Sequence, residues 1–186
     1  MKRFILTICL GMSLMVSWAQ VEAKYGKGSV PVVNGRVMFQ DTIHTTLAPE
    51  VAYGKVLTWA KKRFQKPNVI ISKFVSNDIQ NQQLNVTAEE YLVFTNRFFV
   101  FDRTRINYWV DIKCHQGYTV LTITRINYWY EEERNGGLRF NAEEMITDKE
   151  AFNKKGTKLL KDQGTFRRKT IDFFDQFVMQ LSEALN

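Results

Sequence analysis

The sequence predicts an α+β fold, a curved antiparallel sheet with helices packed on one of its faces. Three observations carry this. Residues 103–114 and 118–130 are long runs rich in β-branched and aromatic residues, and Gln116 and Gly117 between them suit a tight hairpin. Two segments, one after Pro49 and one at the C-terminal end, repeat apolar residues at steps of three and four, the period of an amphipathic helix. With 186 residues, 45% hydrophobic and 24% charged, the chain has the balance of an ordinary globular protein and enough apolar material for one core.

The first segment stands apart from that domain. Lys2 and Arg3 precede an almost uncharged apolar run, Phe4 to Ala19, and Ser17 and Ala19 are small residues placed as in a cleavage site. Val21 and Ala23 offer a second site. At about 16 residues the run is shorter than the roughly 20 a membrane helix needs. We therefore read 1–19 as a signal peptide, with cleavage alternatively after 23, and expect no transmembrane segment in the mature chain. Cys9 follows Ile8 too close to the start for a lipid anchor and leaves with the leader, so a periplasmic or secreted protein is expected and a lipoprotein is not. The mature chain keeps one cysteine, Cys114, so packing and not an internal disulfide must hold the fold.

Residues 20–35 carry Gly26, Gly28, Pro31 and Gly35 and few apolar side chains, and are expected to be a flexible lead-in to a single domain at 36–186. Val37, Phe39 and Ile43 suggest a first strand near 36–46. Pro49 suits the first turn of a helix, and Tyr53, Val56, Leu57, Ala60 and Phe64 form its stripe. Lys61, Lys62 and Arg63 favour its C-terminal end, and Pro67 stops it. Trp59 lies at the margin of that stripe. A second strand covers Val69 to Val75, then Asn77 and Asp78 supply turn chemistry. A third, from Gln83 to Phe94, alternates through Leu84, Val86 and Ala88. Glu89 and Glu90 interrupt it, and a bulge or sheet edge there would keep both carboxylates wet. Asn141 is placed to cap a short helix from Ala142, with Glu143 and Glu144 in its first turn. The last helix is expected from Thr165 to Leu185, its stripe built on Thr170, Phe173, Phe177 and Leu181. The order is β-α-β-β-β-β-α, with an extra helical segment before the last helix.

The word RINYW occurs twice, at 105–109 and 125–129. A two-residue loop at Gln116–Gly117 pairs His115 with Tyr118, Val110 with Ile123 and Ile112 with Leu121. That register puts Trp109 and Trp129 on opposite faces; a three-residue loop would put them on the same face.

Three stretches resemble a family of exported bacterial proteins. They are VPVVNGRVMF at 30–39, LTWAKKRF at 57–64 and ITDKEAFNKKGTKLLKDQGTFRRKTIDFFDQF at 146–177. With the hairpin, the likeness runs over about residues 30–180. The family is known as domain of unknown function DUF4468, with a TBP-like fold. The resemblance implies that fold and an envelope location. It implies no activity, cofactor or catalytic residue, and the fold label describes strand order and not DNA binding.

The residues themselves exclude several chemistries. His44, His115 and Cys114 are the only soft metal ligands of the mature chain, too few for zinc, and Asn77, Asp78 and Asn81 read as a polar turn before a calcium loop. No nucleophile elbow, phosphate loop or dinucleotide fingerprint occurs. No cofactor and no catalytic residue are expected. The hairpin aromatics Tyr108, Trp109, Tyr128, Trp129 and Tyr130 offer a binding platform, and in the preferred register Arg105, Trp109, Tyr128 and Tyr130 share the exposed sheet face. The net charge of +7 and the basic segment 149–169, with Lys154, Lys155, Lys158, Arg167 and Arg168, suggest an anionic partner. Export argues against nucleic acid. The expected function is a non-catalytic binding or interaction module of the bacterial cell envelope. The alternatives are a hydrolase of an envelope polymer acting through carboxylates, and a structural subunit whose open sheet face closes by homodimerisation.

Overall fold

The structure, a computed structural model, describes residues 23–97 and 100–186. The expected signal peptide and its first cleavage site lie outside the described residues. Among those residues no helix is long and apolar enough to cross a membrane.

A 3-10 turn at Ala23–Tyr25 leads into β1 (Val32–Val33) and β2 (Arg36–His44), then α1 (Pro49–Arg63), β3 (Val69–Asp78), β4 (Gln83–Arg97), β5 (Val100–His115), β6 (Tyr118–Tyr130), β7 (Leu138–Asn141), the single-turn helices α2 (Ala142–Met145) and α3 (Asp148–Ala151), and α4 (Lys161–Leu185). One antiparallel sheet takes the order β1-β2-β6-β5-β4-β3, and β7 also pairs with β6. The fold class is as the sequence predicts. The segment expected to be a flexible lead-in instead carries structure. Asn34 and Gly35 both have positive φ, at 51° and 76°, and close a two-residue hairpin between β1 and β2. Val30 is buried in the core.

The core lies between the sheet and the helices. α1 buries Ala52, Tyr53, Val56, Ala60 and Arg63, one stripe at helical spacing. α4 buries Phe166, Ile171, Phe173, Phe177 and Leu181 against the sheet. Edge-to-face ring contacts knit the layers: Phe166 stands 5.0 Å from Tyr128 and 4.7 Å from Phe94, and Phe173 stands 5.0 Å from Tyr108. α4 begins at Lys161, four residues before the expected start. Gly164 is no breaker there: a Cβ on it would come within 2.9 Å of the Leu159 side chain, so the glycine admits a close approach.

The strand β6 organises one sheet edge. Tyr118 to Thr124 pair with β2, and Asn127 to Tyr130 pair with β7. Between the two partners Arg125 takes a positive φ of 53°, and the β5 register shifts between Asn107 and Trp109. Two β6 residues there face one on β5, which is a bulge. Helix α2 sits at this junction. Its N-terminus carries the expected Asn141 cap in a full capping box with Glu144, and Glu143 accepts the Val37 N–H at 2.8 Å.

Candidate functional site

The two-residue hairpin and the pairs Val110–Ile123 and Ile112–Leu121 are as expected. The conclusion drawn about the tryptophans is not. Because the Arg125 bulge adds a residue to β6, its inward positions change from 119, 121 and 123 to 126 and 128. Trp109 and Trp129 therefore share the outer face. Tyr128, only 2% exposed, points into the core and bonds Thr170 at 2.7 Å; Tyr130 packs on Phe94 and Phe166. Both tyrosines leave the expected ligand face, while Arg105 and Trp109 remain on it.

The repeated word now has a physical reading. Its two copies run antiparallel as neighbours, with Asn107 opposite Asn127, Ile106 opposite Tyr128 and Arg105 opposite Trp129. The Ile and Tyr of each copy are buried. The Arg, Asn and Trp of each copy face outward, and each arginine stacks on the tryptophan of the other copy. The Arg105 guanidinium lies 4.8 Å from the Trp129 ring, and that of Arg125 lies 4.1 Å from the Trp109 ring. The face thus has an approximate two-fold pattern, arginine–indole, asparagine pair, indole–arginine. Arg139 adds a second cation 4.1 Å from Trp129, and Arg103 lies 3.6 Å from Tyr91.

One end of this face is folded over by the turn after β6. Trp129 Nε1 donates to Gly136 O at 2.9 Å, Tyr91 donates to Glu132 at 3.2 Å, and Arg105 pairs with Glu132 and with Glu89 at 3.0 Å. Burial works against the Arg105 charge, but the two carboxylates outweigh it and its pKa is raised. Two grooves flank Trp129 and Arg105. One, of about 510 Å³, opens towards Tyr91, Arg103 and the 131–134 turn; the other, of about 440 Å³, opens towards Asn107, Asn127 and Arg139. Tyr130, at the inner margin of the first, has its pKa pushed up to about 12, chiefly by burial and then by its hydrogen bond to Asp102.

The basic segment is not one site. Lys154, Lys155 and Lys158 are exposed in the loop between α3 and α4, where Phe152 bridges Leu159. Arg167 is fully buried and spends its donors inside the protein, so it is not an anion ligand. It donates to Tyr25 O at 2.9 Å, to Ile146 O at 2.6 Å and to Gly26 O, and pairs with Asp148 at 2.7 Å. Arg168 lies 5.9 Å from the Tyr25 ring. Cys114 is buried, and burial pushes its thiol pKa up. Asn77, Asp78 and Asn81 close the β3–β4 turn, with two bonds from Asn81 to Asp78 at 3.0 and 2.7 Å.

Glu89 and Glu90 face apart, as strand neighbours must, but the pair is not wet. Glu89 lies on the outer face with Arg105. Glu90 is 1% exposed and accepts from Arg63 at 2.8 Å, from Tyr108 and from Asn68. The bulge expected beside them lies on β3 instead, at Ile70. Sequence reasoning missed Arg63 as a core residue because it reads as one of several solvated lysines and arginines at a helix end. It also missed Arg125, which stacks on Trp109, and Arg139, which stacks on Trp129, and it placed the two indoles on opposite faces, although the doubled RINYW word marked Arg125 and both tryptophans.

The comparisons with known proteins agree with this architecture. No curated protein matches the chain. A crystal structure of a DUF4468 family protein from Bacteroides ovatus is 30% identical, with a TM-score of 0.81 over 89% of this chain and 95% of that one. A TBP-like protein from Parabacteroides distasonis is 22% identical, with a TM-score of 0.68 over 84% of this chain and 96% of that one, and shares the fold. The family model described as a domain of unknown function (DUF4468) with TBP-like fold matches residues 39–129, from β2 through β6, and so includes both copies of the repeated word but not the 146–177 stretch. On this fold, this family model and the 30% identity to a family member across nearly its whole length, the chain belongs to the DUF4468 family.

Proposed function

We propose that this protein is a non-catalytic binding module of the bacterial cell envelope that holds an extended, acidic ligand on the outer face of its sheet. One observation carries the reading. Arg125 and Arg139 each stack on an indole of that face, and among the described residues neither has a carboxylate partner. The face therefore offers two cations already oriented on rigid aromatic planes, with Asn107 and Asn127 between them as neutral hydrogen-bonding groups. At about 3.4 Å per residue, the four-residue offset between the Trp109 and Trp129 positions spans roughly 13 Å, a length that suits several units of a polymer. The envelope location rests on the leader-like start of the sequence.

The test is tryptophan fluorescence of the mature chain titrated at low salt with polygalacturonate and, separately, with polyglutamate. Binding should perturb emission, weaken with added salt and fall several-fold in Arg125→Ala and Arg139→Ala. Which polymer binds distinguishes glycan from peptide. No change with either polymer, or binding indifferent to both substitutions, would remove the reading.

A further inference from the structure

We propose a second binding site, independent of the sheet face: a cleft over the Arg63–Glu90 pair that takes a small organic carboxylate with an apolar body. The cleft, of about 380 Å³, lies between the end of α1, the middle of β4 and α4. Its deepest lining residues are Arg63 and Glu90, at 6% and 1% exposure.

The polar accounting there is unbalanced in one direction. Both oxygens of Glu90 are engaged: Oε1 accepts from Arg63 Nη2 and Tyr108, and Oε2 accepts from Asn68. Arg63 is not. Its Nη1 is buried and has no hydrogen-bond partner. The Phe177 ring, 4.3 Å from the guanidinium, covers a flat face and supplies no acceptor for an N–H in the guanidinium plane. An unpaired N–H on a buried cation is costly, so the missing group is an acceptor, and best a charged one.

The rim selects the same sign. Lys66 contacts only Gln180 there, at 3.3 Å, and Lys169 forms no ion pair among the described residues. The one other carboxylate of the cleft, Asp172, is engaged by Lys24 at 2.7 Å and Tyr25 at 2.8 Å. Leu92, Val93 and Phe173 supply the apolar part of the lining, beside Tyr91 and the neutral amides of Asn68, Gln176 and Gln180. An anionic head at Arg63 with an apolar tail along these side chains satisfies both halves of the lining, whereas an inorganic oxyanion satisfies only one.

Calorimetric titration of the mature chain with hexanoate, acetate and inorganic phosphate tests this. Hexanoate should bind at least about tenfold more tightly than acetate, because its methylenes gain apolar burial, and more tightly than phosphate. Lys66→Gln with Lys169→Gln alters only the rim, so the protein should still fold while its hexanoate affinity falls about fivefold. Trp129→Ala, on the opposite face of the sheet, should leave that affinity unchanged. The proposal is overturned by no binding of any of the three anions in the millimolar range. It is also overturned by phosphate binding more tightly than hexanoate, by hexanoate binding that the rim variant does not weaken, or by hexanoate binding that Trp129→Ala abolishes.

Discussion

Arg125 holds the outer face in register through its backbone rather than its charge. Its φ of 53° is a left-handed conformation that costs a non-glycine residue about 1–2 kcal/mol. Its stack on Trp109 returns about 0.5–1 kcal/mol at an exposed site. The two terms nearly cancel, so Arg125→Gly should leave urea stability within about 1 kcal/mol of the parent. Arg125→Val keeps the strain, adds a β-branch to it and loses the stack, and should cost about 2–3 kcal/mol in the same measurement. Equal stabilities for Gly and Val would mean that the bulge does not depend on this residue. Arg167 is the opposite case, a charge used purely as structure. It joins the carbonyls of Tyr25, Gly26 and Ile146 to Asp148 from a fully buried position. Burial lowers its pKa and Asp148 opposes that shift. Arg167→Met strands those carbonyls and should cost about 3–5 kcal/mol. Limited proteolysis should then cut first near residues 23–30, the segment the arginine ties down.

At the scale of elements, the turn between β6 and β7 decides what Trp129 sees. Gly137 has φ of 70°, and a Cβ on it would stand 2.6 Å from Trp129 Nε1 and 2.7 Å from Tyr130 O. Gly137→Ala must push the turn off the outer face and break the indole bond to Gly136. The expected outcome is a red shift of tryptophan emission and a loss of about 1–2 kcal/mol in urea unfolding; an unshifted spectrum would show that the turn tolerates the methyl. Such turns also explain what was legible in the sequence. The β5–β6 register up to Val110–Ile123 followed from two turn residues and alternation, because a hairpin loop fixes pairing on both sides. Beyond Thr124 that logic failed, since nothing in an arginine's side chain announces a left-handed backbone, and one extra residue exchanged Trp129 for Tyr128 on the outer face. The β1–β2 hairpin was legible and passed over: Asn34-Gly35 is a strong two-residue turn signal, obscured by a neighbourhood poor in apolar side chains. Strand β7 was not legible, because four residues, Leu138 to Asn141, show no period and owe their pairing to the free upper half of β6. Arg63 was beyond reach for a similar reason, since only the partner presented by β4 makes it a core residue.

Over the whole molecule, buried and half-buried tyrosines tie the layers together and should make the fold sensitive to alkali. Tyr25, Tyr53, Tyr108, Tyr128 and Tyr130 all have raised pKa values, in each case chiefly because burial penalises the phenolate. They sit on the N-terminal segment, α1, β5 and β6, so no single element carries the effect. In the unfolded chain these groups ionise near pH 10. In the folded chain they stay neutral to higher pH, with Tyr130 at about 12 and Tyr108 well above its usual range. Above pH 10 the unfolded state therefore holds fewer protons than the folded one, and stability must fall as pH rises. Their contribution is fully present below pH 10 and is lost progressively from there to beyond pH 12. Urea midpoints should accordingly show no tyrosine-linked change from pH 7 to 9 and then decline steeply above 10. Ultraviolet titration of tyrosinate should show part of the 7 tyrosines ionising only as the protein unfolds. If all of them titrated near pH 10 in the folded protein while the urea midpoint held constant, the phenols would be wet and the contact of α4 with the sheet looser than the ring packing of Phe166, Phe173 and Phe177 requires.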